Sequence, residues 1–132
     1  MQTTLATLTS SQLLDLRDTP VQVIDPQGSG FYIVPLIIIL RTHAGSNVYG
    51  NLTASLSLFI NGTNLLTSQM STNILGQAND SFAYYTVSQS TNVLDVNNFD
   101  NQAVFIKNTG LLDLTGGNGT LDVQISFEVL NV

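Results

Sequence analysis

A chain of 132 residues is one domain's worth, long enough to bury about two thirds of the surface that its unfolded form exposes. Only 9% of it is charged, against about 25% in an average soluble protein, while 49 residues are Thr, Asn, Ser or Gln, so solubility rests on hydroxyls and amides. Three basic residues, Arg17, Arg41 and Lys107, in a chain of net charge −6 make no cluster for nucleic acid, and zero Cys removes disulfides, thiolate metal sites and thiol nucleophiles together.

Taken in chain order, residues 1–11 are rich in Thr and Ser and poor in charge, and they read as a flexible arm able to add a strand to a partner. The start, Met1-Gln2-Thr3-Thr4-Leu5-Ala6, has neither the basic nor the apolar region of a secretory signal, which predicts synthesis in the cytoplasm without export. Leu13 and Leu14 dock on the body from one helical turn begun at Ser10 or Ser11, or from an edge strand. Residues 20–25 form a short strand closed by the turn Asp25-Pro26-Gln27-Gly28-Ser29-Gly30.

The next strand breaks the alternation. Tyr32, Val34, Leu36, Ile38 and Leu40 share one face and Ile33, Pro35, Ile37 and Ile39 the other, so both faces are apolar. A two-sheet sandwich buries one face of each strand, and four aliphatic side chains are worth about 5–10 kcal/mol when covered. The cover is either the chain's own Leu13–Leu16 segment or a second copy of the chain. With about ten residues interrupted by Pro35, the run is far short of the roughly 20 that span a bilayer.

Beyond the turn at Ala44-Gly45-Ser46-Asn47, Leu52, Ala54, Leu56, Leu58 and Ile60 alternate with polar residues, and Asn61-Gly62 supplies the positive φ values of a tight hairpin. Further strands are expected over 81–87, 92–96 and 102–107. The clearest is the last, where Leu121, Val123, Ile125, Phe127 and Val129 face a core and Asp122, Gln124, Ser126 and Glu128 face water. Seven to nine such strands, without repeat or linker, predict one all-β domain over 1–132, an antiparallel β-sandwich or jelly roll with a short N-terminal arm.

Chemistry-bearing constellations are thin. His43 is the single histidine, so any triad must use it, with Ser46 near in sequence and a distant Asp; a solvated residue at a strand end is the simpler reading. One His and no Cys cannot build a zinc site. Asp122 and Glu128 lie roughly 20 Å apart along one strand, too far for a glycosidase pair. Gly116-Gly117-Asn118-Gly119-Thr120-Leu121-Asp122 has Leu121 where a calcium-binding repeat needs Asp, so it reads as a loop, and residues 95–101 read as a loop solvated by their own amides. Four Asn-x-Ser/Thr sites are close to chance for this composition and are read as turns. Tyr84 and Tyr85 put one ring on each face of a strand. No catalytic residue, metal ligand or cofactor follows, and no membrane or nucleic-acid partner.

The run Leu13-Leu14-Asp15-Leu16, then Thr19-Pro20-Val21-Gln22-Val23-Ile24 with its Pro/Gly turn, then Ile33-Val34-Pro35, resembles the opening of small tailed-bacteriophage virion proteins over about residues 9–41. Among these are capsid decoration, or cement, proteins. The resemblance implies a small jelly roll, often trimeric, that binds the outer capsid surface and bridges major capsid subunits against internal DNA pressure. It carries no catalytic residues, and its acidic turn at Asp25-Pro26-Gln27 departs from the pattern. The expected partners are therefore further copies of this chain and the phage major capsid protein. The expected contact residues are Leu13, Leu14, Leu16, Ile33, Pro35, Ile37 and Ile39, and the expected location is the virion surface after synthesis in the host cytoplasm. The competing expectation is a carbohydrate- or receptor-binding head-fibre or tail module using Tyr84 or Tyr85.

Overall fold

Alternating apolar side chains force these segments to pair, because each strand can bury only one face and must find neighbours for its backbone. The computed structural model describes residues 1–53, 55–66, 69–87 and 94–132. The strands are β1 (Gln2–Leu8), β2 (Val21–Ile24), β3 (Phe31–His43), β4 (Ser55–Ile60), β5 (Thr63–Asn64), β6 (Met70–Ser71), β7 (Phe82–Thr86), β8 (Val104–Asn108) and β9 (Thr120–Asn131). They form two packed sheets, one in the order β1-β9-β3-β7 and the other in the order β2-β8-β4-β5, with β6 also on β4. The antiparallel pairs β1 with β9, β2 with β8, β3 with β7 and β4 with β5 nest inside one another. That is the winding of a jelly roll, a long hairpin folded over on itself. Of the expected strand over 92–96, Asn92 and Val93 lie outside the described residues, as does Ala54; Val96 instead opens a 3-10 turn, Val96–Asn98.

The core lies between the sheets and takes the inward rows. Leu121, Val123, Ile125 and Phe127 of β9 face Leu56, Leu58 and Ile60 of β4 and Val104 and Ile106 of β8, all buried. Asn61 (φ 46) and Gly62 (φ 77) make the two-residue turn that joins Ile60 to its partner Thr63, as the dipeptide requires.

Residues 1–11 are not a free arm. Gln2 to Leu8 pair in unbroken register with Phe127 to Leu121, so the strand that this segment can add is added to its own β9. Alternation explains it: Ala6 and Leu8 turn inward, and Leu8 is fully buried. Thr9 then starts the helix α1 (Ser10–Leu14) with a capping box, its hydroxyl accepting from the Gln12 amide while the Gln12 side chain accepts from the Thr9 amide.

β3 departs from strict alternation. Its register against β9 slips between Pro35 and Ile37, so Leu36 is the extra residue of a β-bulge. Before the bulge the inward residues are Ile33 and Pro35; after it they are Ile38, Leu40 and Thr42. The two faces read from the sequence therefore exchange halfway along. The reason is Pro35 itself: with no N–H to give to a ladder, proline is tolerated in a central strand only beside an irregularity.

Candidate interaction surface

The bulge re-sorts the expected contact residues. Leu13, Leu16 and Ile33 are core residues with 0%, 0% and 3% exposure, and Pro35 is buried with them. Leu14 packs against that core. Four of these five are buried, since the bulge turns Ile33 and Pro35 inward, and only Leu14 keeps partial exposure. Ile37 and Ile39 are the two that remain on the outside.

The ladder places the neighbours of these two residues. Across the solvent face of the first sheet, Leu5 of β1, Gln124 of β9, Ile39 of β3 and Tyr84 of β7 stand in one row. The row beside it holds Thr3, Ser126, Ile37 and Thr86, and the row on the other side Thr7, Asp122, Arg41 and Phe82. Leu5, Phe82 and Tyr84 are 61%, 71% and 72% exposed, values normal for charged side chains rather than apolar ones. Edge strand β7 carries no charge, proline or bulge along Phe82–Thr86, so its own sequence does not blunt it against pairing with another chain. Tyr85 turns inward against the core, leaving Tyr84 as the free ring of the pair.

Two further exposed residues escaped the sequence reading. Leu111 and Leu112, 90% and 56% exposed, stand in the loop joining β8 to β9. A signal existed, since two leucines sit between Asn108-Thr109-Gly110 and Gly116-Gly117 with no alternation to draw them inward. A groove of about 460 Å³ also opens beside the first half of β3, and Ile33, Pro35 and Leu36 line it together with Leu94, Val96 and Phe99.

A polar knot closes one end of the apolar face. His43 Nε2 meets Asp122 Oδ2 at 2.7 Å, Thr7 donates to Asp122 Oδ1 at 2.7 Å, and Asp80 lies 3.9 Å from His43 Nδ1. Ser46 is elsewhere, accepting from Asn118 Nδ2, and among the described residues no hydroxyl bonds to the imidazole. The knot instead ties β1, β9 and β3 together. Burial alone pushes the Asp122 carboxyl up, but the hydrogen bonds from Thr7 and His43 and the charges of His43 and Arg41 outweigh it and hold it below the usual carboxylate range.

A carboxyl lowered on folding stabilises above its unfolded pKa, about 4, and loses that contribution as pH falls through the lower folded value. Asp122→Asn is therefore expected to cost about 1–2 kcal/mol at pH 7, with the gap between the two proteins closing below about pH 4. Urea unfolding of both across pH 2.5–7 checks this; a gap that is constant with pH removes the charge from the account.

The acidic loops serve as clasps. Asp95 Oδ1 accepts from the amide of Asn97, while Asp100 and Asn101 accept from the amides of Gly30 and Gly28 and so pin the turn before β3. Among the described residues no three His, Asp or Glu side chains group to hold a metal ion, and no helix is long and apolar enough to cross a membrane. The fold and this surface define a jelly-roll sandwich with an exposed apolar patch on β3 and the uncharged edge strand β7. No protein-family model and no curated protein sequence matches the chain.

Proposed function

We propose that this chain is a structural virion protein that docks on the outer surface of a phage capsid as a homo-oligomer, a trimer being the simplest, and stabilises the shell by bridging major capsid subunits. One observation carries the reading: Ile37, Ile39, Phe82 and Tyr84 form an exposed apolar patch on the neighbouring strands β3 and β7, with Leu5 beyond the polar row of β9, in a chain that otherwise solvates itself with hydroxyls and amides. Such a patch is costly to leave wet and suits broad, shape-matched contact rather than reaction chemistry. The resemblance of residues 9–41 to phage virion proteins supports the same reading. A few weak sites per subunit become strong when several copies bind together.

Two measurements test it. Purified virions should contain the chain in hundreds of copies, and particles lacking it should release DNA at lower temperature; a few copies per particle would exclude the role. In solution, the double variant Ile37→Ser with Tyr84→Ser is expected to sediment as a monomer where the parent self-associates at micromolar concentration, with thermal midpoints within about 4 °C of each other. Unchanged association would move the subunit contact off this face.

A further inference from the structure

The opposite sheet carries a different kind of surface. Leu58, Ile60, Val104 and Ile106 turn inward, so Phe59 and Phe105 turn outward, and the register sets them directly opposite each other on β4 and β8. With Pro20 they floor a shallow groove of about 470 Å³. Lys107, two residues along β8, holds its Nζ 5.8 Å from the centre of the Phe59 ring. Arg17 has Asp18 at 3.8 Å and Arg41 stands beside Asp122, whereas among the described residues no carboxylate comes within ion-pair distance of Lys107.

Asn61 and Gln102 complete the rim. Each donates its side-chain amide to a backbone oxygen, Asn61 to Asn98 at 3.0 Å and Gln102 to Asp100 at 3.3 Å. Both amides are thereby oriented, and among the described residues their carbonyl oxygens have no hydrogen-bond donor. The groove thus offers two aromatic side chains, one ammonium and two acceptors.

We propose that this groove binds a glycan through a pyranose ring that bears a single carboxylate, a uronic-acid type of sugar. The ring's C–H face lies on Phe59 and Phe105, its carboxylate takes the Lys107 ammonium, and its hydroxyls donate to Asn61 Oδ1 and Gln102 Oε1. A lone cation at the groove pairs with one carboxylate, whereas the dense charge of a polysulfated polymer finds no second cation there and is repelled by a chain of net charge −6. A cation already placed over an aromatic face and half-shielded from water is worth more to an incoming anion than an ordinary surface lysine. The site lies on the sheet facing away from the apolar patch, so it stands independently of the capsid reading.

Titration of the 15N-labelled full chain with trigalacturonate is the test. Amide signals of Asn61, Gln102, Phe105 and Lys107 are expected to shift with a dissociation constant on the order of 1 mM, and neutral galactotriose to bind about tenfold more weakly. Lys107→Gln keeps most of the stem and should erase the difference between the two sugars. Phe59→Leu, which preserves an apolar side chain on the strand, should weaken both. Absence of shifts at about 20 mM trigalacturonate, equal affinity for the two trimers, or an unaltered preference in Lys107→Gln would each overturn the proposal and leave the two rings and Lys107 as packing alone.

Discussion

Ile38→Ala is expected to lower the unfolding free energy by about 3–4 kcal/mol, while Ile37→Ala, one residue earlier in the same apolar run, costs less than about 1 kcal/mol. The two side chains are chemically identical and adjacent in sequence; alternation puts them on opposite faces, and the Leu36 bulge decides that Ile38 rather than Ile37 shares the inner face with Ile33. Ile38 is fully buried against the facing sheet, so its truncation leaves a cavity that close-packed neighbours cannot collapse into. Ile37 is 38% exposed on the outer face and loses little on truncation in the isolated chain. Ile33 belongs with Ile38 and Ile39 with Ile37. Urea melts of these single variants read the register directly: without the bulge, Ile33 and Ile38 would lie on opposite faces, and their costs would differ several-fold instead of matching.

The second large effect is expected at the glycine corner where the loop before β9 passes under the end of β3. A Cβ on Gly119 would come 2.7 Å from the His43 carbonyl oxygen and 3.0 Å from the Gly45 nitrogen, both backbone atoms with no rotamer to give way. Tyr49 is buried over this corner and donates its hydroxyl to the Gly119 carbonyl at 2.5 Å, and burial pushes its phenol up, keeping it a donor. Gly119→Ala is expected to cost about 3 kcal/mol or more, a large part of the roughly 5–15 kcal/mol of a typical domain. Gly116→Ala, at φ 72 with open space around it, costs about 1 kcal/mol from backbone strain alone. Thermal or urea unfolding of the two variants checks the order. Equal costs would mean that the corner relaxes, and that the glycine-rich run is a permissive loop rather than a close backbone crossing.

These two sites show where the sequence was readable. β9 could be read residue by residue, because twelve residues with one buried face repeat their pattern long enough to leave a single register. The Asn61-Gly62 turn was equally plain, since few dipeptides accept positive φ twice. Gly116 to Gly119 read correctly as a loop, but the need for Gly119 comes from His43 and Gly45, over 70 positions away, and no local pattern records it. For the interaction surface, Ile37 and Ile39 were legible as contact candidates, whereas alternation put Tyr84 and Tyr85 on opposite faces without saying which ring is outside. Leu13 and Leu16 were misassigned because a greasy segment looks the same whether it seals its own core or seeks a partner.

By itself the sequence determined the class of fold: period-two alternation, turn residues at short intervals and too few ions for any highly charged role admit little besides an antiparallel sandwich. It also held, in Pro35, the mark of an irregularity in the central strand. Only the tertiary structure decided which face of β3 is inside, that residues 2–8 complete their own sheet, and which apolar side chains meet water. The reason is physical. Alternation is a local property of one strand, whereas register, bulge position and edge exposure are set by hydrogen bonds and packing between segments more than a hundred residues apart.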